Sequence, residues 1–150
     1  NLGRHALDDW VRTMKGDAGD LSVAAMGRFD RILLDAPCSN TGVLRRRPDA
    51  RWRFSPARLR DLAARQRRLL AGLLPLLAPG GRLVYATCSL EPEENDEVVA
   101  AVCAALPDCE AIDRRETLPC RDGVDGAFAA AIERRPGPRN DRRPTAAERS

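Results

Sequence analysis

At 150 residues the chain has the size of one domain, and 43% hydrophobic with 31% charged residues is the balance of a globular fold, not of a disordered or membrane-embedded chain. No apolar run approaches the roughly 18 residues of a membrane span. The richest, Leu69 to Ala78, is interrupted by Gly72 and Pro75. Asn1 is followed by no basic-then-apolar leader, so the expectation is a secretory signal absent or already removed.

A net charge of +3 conceals a segregated distribution. Residues 45–68 hold ten Arg against Asp49 and Asp61, residues 91–133 hold twelve acids against three Arg, and residues 134–150 hold six Arg against two acids. A basic block on part of a globular chain fits a polyanion such as RNA, and equally a solvated helix face. The five cysteines are an odd number without a Cys-x-x-Cys pair, and His5 is the only histidine. That pattern argues against a zinc site and a secreted disulfide framework, and for free thiols in a reducing cytoplasm.

Leu2, Ala6 and Trp10 have the spacing of an amphipathic helix end, and Val11 to Lys15 reads as a short strand closing on Gly16-Asp17. Phe29 to Leu34 reads as a buried strand, because Ile32-Leu33-Leu34 is continuously apolar. It ends at Asp35-Ala36-Pro37-Cys38, where proline must leave the ladder. Ser55-Pro56 is an N-cap with proline at the first helical position. Leu59, Leu62, Ala63, Gln66, Leu69, Leu70 and Leu73 then keep helical spacing until Pro75. Pro79-Gly80-Gly81 reads as a turn and Arg82 to Thr87 as a second buried strand, followed by Cys88-Ser89. Pro92 opens a further helix whose first-turn acids, residues 93–97, suit the macrodipole, and Pro107 stops it. Cys109 to Ile112 and Ala127 to Ile132 read as two late antiparallel strands, and the Arg- and Pro-rich stretch from Arg135 onward as a disordered tail.

This succession predicts an α/β fold with a largely parallel sheet, in which ligands sit outside the carboxyl ends of the strands. The ends at Asp35–Cys38 and at Cys88-Ser89 belong to successive strands and are expected to share one cleft.

The stretches FDRILLDAPCSNTGVLRRRPDARW and PGGRLVYATCSLEPEEN, with DGVDGAF later, resemble the bacterial RsmB (Sun/Fmu) type of RNA cytosine-5 methyltransferase over about residues 1–134. The resemblance implies a Rossmann-like S-adenosylmethionine-dependent methyltransferase fold with sheet order 3-2-1-4-5-7-6. It implies methylation of a cytidine at C5 in RNA, ribosomal RNA first, with S-adenosylmethionine as cofactor, RNA as partner and neither metal nor membrane involved. Cytosine C5 is a poor nucleophile until a thiolate adds at C6, and an ordinary cysteine, with a pKa of about 8.5, is mostly protonated at neutral pH. By resemblance Cys88 is that nucleophile, Cys38 assists release of the product, and Asp35 stands between cofactor and base. Asp17 matches an acid near the adenosine end of the cofactor, and Arg45, Arg46, Arg47, Arg51 and Arg53 meet the RNA backbone.

Plainer roles stand beside these. Asp35 and Asp17 are also turn residues, Cys103 and Cys109 fit the core, Cys120 fits a loop thiol, and Asn95 fits a cleft-ordering side chain. The sequence has no glycine-rich turn following a strand and no ribose-binding acid after it. The expectation is therefore a truncated fold: residues 1–134 as the C-terminal part of a catalytic domain, residues 135–150 as tail, and the Phe29 to Leu34 strand at an edge. Three rival readings remain: the same chemistry on tRNA, a non-catalytic RNA-binding fragment, and a DNA-type arrangement with Cys38 as nucleophile.

Overall fold

The computed structural model describes residues 11–136. The strand β1 (Phe29–Asp35) is preceded by a short helix α1 (Val23–Met26) and followed by α2 (Ala50–Arg53), α3 (Pro56–Leu73) and β2 (Leu77–Thr87). The helix α4 (Asp96–Ala105) leads to β3 (Cys109–Thr117), α5 (Pro119–Asp122) and β4 (Ala127–Arg134). One sheet results, in the order β1-β2-β4-β3. β1 runs parallel to β2, and β4 is antiparallel to both its neighbours. This run corresponds to the 4-5-7-6 portion of the expected order, with β1 at an edge of the sheet among the described residues.

α3 begins as its sequence dictates. The Ser55 hydroxyl oxygen accepts the Arg58 N–H at 3.2 Å, and Pro56 occupies the first turn, where its missing donor costs nothing. Leu59, Ala63, Leu69, Leu70 and Leu73 form its buried stripe. Pro75 ends the helix in a single 3₁₀ turn. The stripe, with Val98 and Val102 of α4, covers one face of the sheet, meeting Leu34, Leu83, Tyr85, Phe128 and Ile132. Period-two alternation sends Leu33, Val84, Ala86 and Ala129 to the other face, where Leu33 is 72% exposed.

Three expectations are corrected. Residues 11–15 form no strand; Val11 and Met14 lie exposed, because a strand needs a neighbour for its ladder and none of the described strands runs beside this segment. Pro79-Gly80-Gly81 is not a turn before a strand but a bulge within one. Leu77 already pairs with Phe29, the next rung joins Arg31 to Arg82, and Gly80 takes φ +76° so that the intervening residues loop out and rejoin. The helix opened by Pro92 is interrupted: a 3₁₀ turn Pro92–Glu94 breaks at Asn95 and α4 starts at Asp96. The expected helix over residues 1–10, His5, and the tail from residue 137 lie outside the described residues.

Candidate active site

β1 and β2 deliver their carboxyl ends side by side, Asp35 opposite Ala86. One more rung, Ala36 N–H to the Ala86 carbonyl at 2.9 Å, carries the pairing forward before Pro37 ends it. Both chains then turn, and the Cys38 and Cys88 sulfurs come to 3.4 Å of each other. Asn40 stands between the two loops. It is the one non-glycine residue with positive φ (64°) among the described residues, a conformation that asparagine tolerates better than most. Its amide Nδ2 donates to the Cys38 carbonyl at 3.0 Å, and its Oδ1 accepts the Cys88 S–H at 3.1 Å. With that proton directed at Asn40, the Cys38 S–H is the one left to face the Cys88 sulfur. Burial pushes the Cys38 thiol up to about 12, and the neighbouring Cys88 pushes the same way, while backbone N–H groups of Asn40 and Cys88 oppose the shift. Cys38 is thus a proton-bearing thiol at neutral pH.

Beneath the cysteines lies Glu94, fully buried. Its carboxylate accepts the Ser39 N–H at 3.0 and 3.2 Å, the Ser39 hydroxyl at 2.5 Å, the Ser89 hydroxyl at 2.6 Å and the Gln66 amide at 3.0 Å. Gln66 also donates to the Pro37 carbonyl at 2.9 Å. The residue following each cysteine and a residue of α3 therefore converge on one carboxylate. Thr87 donates to Asn95 Oδ1 at 2.6 Å, and Asn95 Nδ2 donates to the Ser89 carbonyl at 2.9 Å, so Asn95 does order the cleft. Tyr85 donates to the Glu94 carbonyl at 2.6 Å, and burial pushes its hydroxyl well above the usual phenol range.

A seam closes the cleft on the side of the β3–β4 connection. Gly42 N–H donates to the Cys88 carbonyl at 2.9 Å and Gly126 N–H to the Gly42 carbonyl at 2.8 Å. Beside the seam a groove of about 290 Å³ is lined by Asp35, Thr87, Cys88, Thr117, Ala127 and Phe128 among others.

Of the residues singled out from sequence, Cys38, Cys88 and Asp35 meet at this cleft, Asp35 as an exposed carboxylate on the wall that also carries Cys88. Asp17 sits elsewhere: it caps the 3₁₀ turn Ala18–Asp20, accepting Gly19 N–H at 2.9 Å, and pairs with Arg68 of α3 at 3.2 Å. Arg45 and Arg46, both exposed, pair with the half-buried Asp125, and Arg53 pairs with the exposed Asp49, while Arg47 and Arg51 are exposed around Trp52, itself 84% exposed. Cys109 is buried against the core, Cys103 packs at its margin and Cys120 is exposed. Glu94, expected among the acids of a helix's first turn, is instead the centre of the site. The signal that pointed inward was Gln66, a polar residue in a row of leucines.

The family model described as 16S rRNA methyltransferase RsmB/F matches residues 2–133. The chain belongs to the RsmB/F methyltransferase family. Within that family it is 42% identical over 135 residues to ribosomal RNA small subunit methyltransferase B of Proteus mirabilis, covering 90% of this chain and 32% of that protein. The chain thus spans about a third of the length of the curated relatives it matches. Its backbone superposes on PH0851 with TM-score 0.83 at 28% identity, over 89% of this chain and 33% of that one. It superposes on NSun6 from Pyrococcus horikoshii with TM-score 0.75 at 25% identity, over 89% and 36%. That protein was crystallised with SFG, an analogue of S-adenosylmethionine, the cofactor on which RsmB/F enzymes depend. The fold of this RsmB/F chain is accordingly that of S-adenosylmethionine-dependent methyltransferases.

Proposed function

We propose that this chain carries the catalytic cysteine pair of an RNA methyltransferase that modifies C5 of a cytidine, in small-subunit ribosomal RNA. The observation that carries the reading is the 3.4 Å approach of Cys38 and Cys88 at adjacent strand ends, with a groove beside them. Binding alone needs no thiol, and two thiols in contact suit a reaction that both makes and breaks a carbon–sulfur bond.

When bound, S-adenosylmethionine supplies an electrophilic methyl group. Asp35, exposed beside Cys88 at the end of β1, fits a residue that meets cofactor and base together, and Asp17 is the residue proposed for the adenosine end. The Cys88 thiolate adds to C6 of the cytosine, and the displaced π electrons make C5 nucleophilic. After C5 has gained its methyl, loss of the C5 proton to solvent restores the C5–C6 double bond and expels the Cys88 sulfur. Cys38, kept protonated by burial, directs its S–H at that departing sulfur and stabilises it as it leaves. Arg45, Arg46, Arg47, Arg51 and Arg53 hold RNA phosphates, and the exposed Trp52 offers a stacking surface to an unpaired base.

The test is covalent trapping on RNA, with the upstream catalytic segment of the family supplied in the same polypeptide. Cys38→Ala should accumulate a denaturant-resistant protein–RNA band that the Cys38→Ala/Cys88→Ala double variant lacks. A band with Cys88→Ala that depends on Cys38 would exchange the two roles. No band in any variant would leave RNA binding without this chemistry.

A further inference from the structure

We propose that Asn40 is a positioning residue that sets the Cys88 thiol against Cys38. The inference rests on the catalytic reading of the pair and adds the device that aligns it. Asn40 touches both cysteines through its two amide atoms, Oδ1 to the Cys88 sulfur at 3.1 Å and Nδ2 to the Cys38 carbonyl at 3.0 Å. Those contacts also fix the orientation of the amide, since only the NH₂ end can donate to a carbonyl. The backbone takes the left-handed conformation to place it there, φ 64° and ψ 25°, where glycine would be the unstrained choice. The neighbouring polar side chains Ser39, Thr41 and Ser89 bond to one another and to Glu94, so no other side chain makes a hydrogen bond to the Cys88 sulfur apart from Cys38 among the described residues.

Asn40 thereby gives the resting Cys88 proton a fixed acceptor and holds its sulfur facing Cys38. When the proton leaves, Oδ1 has nothing left to accept, and the hydrogen-bond donor that remains to the thiolate is the Cys38 S–H. The other charged groups around the groove are Asp35, Arg115 and Glu116, and of these Arg115 pairs with Asp113 at 3.6 Å and Glu116 with Arg114 at 3.7 Å. Asn40 is the neutral group in contact, and its neutrality matters. A carboxylate of the same shape would repel the thiolate.

The test compares Asn40→Asp with Asn40→Gly in the full chain. The readout is the pH profile of iodoacetamide alkylation of Cys88, followed by mass spectrometry of its peptide, with the melting temperature as control. Asn40→Asp keeps the acceptor and the shape but gives up the donor to the Cys38 carbonyl, and should move the alkylation profile to higher pH through like-charge repulsion. Asn40→Gly relieves the backbone and removes the tether, and should make Cys88 alkylate several-fold faster at neutral pH with no loss of melting temperature. Wild-type profiles in both variants, or changes that only follow the melting temperature, would overturn the proposal. The readout needs neither RNA nor cofactor, so a failure of covalent trapping with Asn40 effects intact would count against the catalytic reading alone.

Discussion

Glu94 meets four donors with two oxygens, and the identity of those donors decides what each substitution does. Ser39 N–H and the Gln66 amide cannot reverse, whereas the Ser39 and Ser89 hydroxyls can rotate and become acceptors. Glutamine at this position can put its NH₂ end at the hydroxyls, so Glu94→Gln is expected to cost about 1 kcal/mol. Glu94→Ala strands all four donors in a buried place and should cost about 3 kcal/mol, read as a shift in denaturation midpoint. Equal losses for the two would mean that the site opens to water around the carboxylate. Cys38 and Cys88 were legible because each stands in a recognisable run at the end of an apolar strand. Glu94 was not, since an acid shortly after a proline reads the same whether it caps a helix or turns beneath one. Nothing in the local sequence shows that the helix is delayed until Asp96.

The loops and strands are joined where side chains are missing. A Cβ built on Gly42 would lie 2.7 Å from the Gly126 carbonyl carbon and 2.9 Å from the Cys88 carbonyl oxygen, both backbone atoms with nowhere to yield. Gly42→Ala should therefore lose about 2–3 kcal/mol of stability. It should also spread Cys38 from Cys88, read as slower crosslinking of the two thiols by a short bifunctional reagent. A variant that stays as stable and crosslinks as fast as wild type would show that this seam is soft. The elements themselves were largely readable. α3 follows from its serine cap, its leucine period and Pro75, and β1 and the body of β2 from their apolar runs. The bulge at Gly80 was not, because Pro-Gly-Gly signals a departure from the ladder without showing that Leu77 had already joined it. β3 runs on to Thr117 through Asp113, Arg114, Arg115 and Glu116, charged residues that a strand reading passes over. They are tolerated because β3 is an edge strand among the described residues, and Glu110 to Arg115 are exposed on both of its faces.

For the molecule as a whole, alkali is the informative perturbation. Burial raises Cys38 from 9.0 to about 12 and Cys109 to about 11, and Tyr85 is raised as well. A group whose folded value lies above its unfolded one stabilises fully below the unfolded value and loses that contribution as pH rises toward the folded one. The thiols therefore leave stability level below about pH 9 and erode it between about 9 and 12. Denaturation midpoints should fall across that window, and less steeply in Cys38→Ala; an unchanged slope in that variant would place Cys38 in easy contact with solvent. At this scale the sequence conveyed the class of fold and the family resemblance the sheet order, but neither conveyed how the sheet is covered. The helices α3 and α4 lie on one face, and Leu33 on the other is mostly exposed, which no period in a continuous apolar run distinguishes. The basic segment separates similarly: Arg45, Arg46 and Arg53 have acidic partners, and the run of charges gave no hint of which ones.

The Ser39 amide, shared between both oxygens of the Glu94 carboxylate, has a further use. Its proton reaches solvent only when the loop carrying Cys38 lifts away from the carboxylate that anchors it. The rate at which deuterium replaces that single proton is thus a clock for how often the two cysteines part in the resting protein.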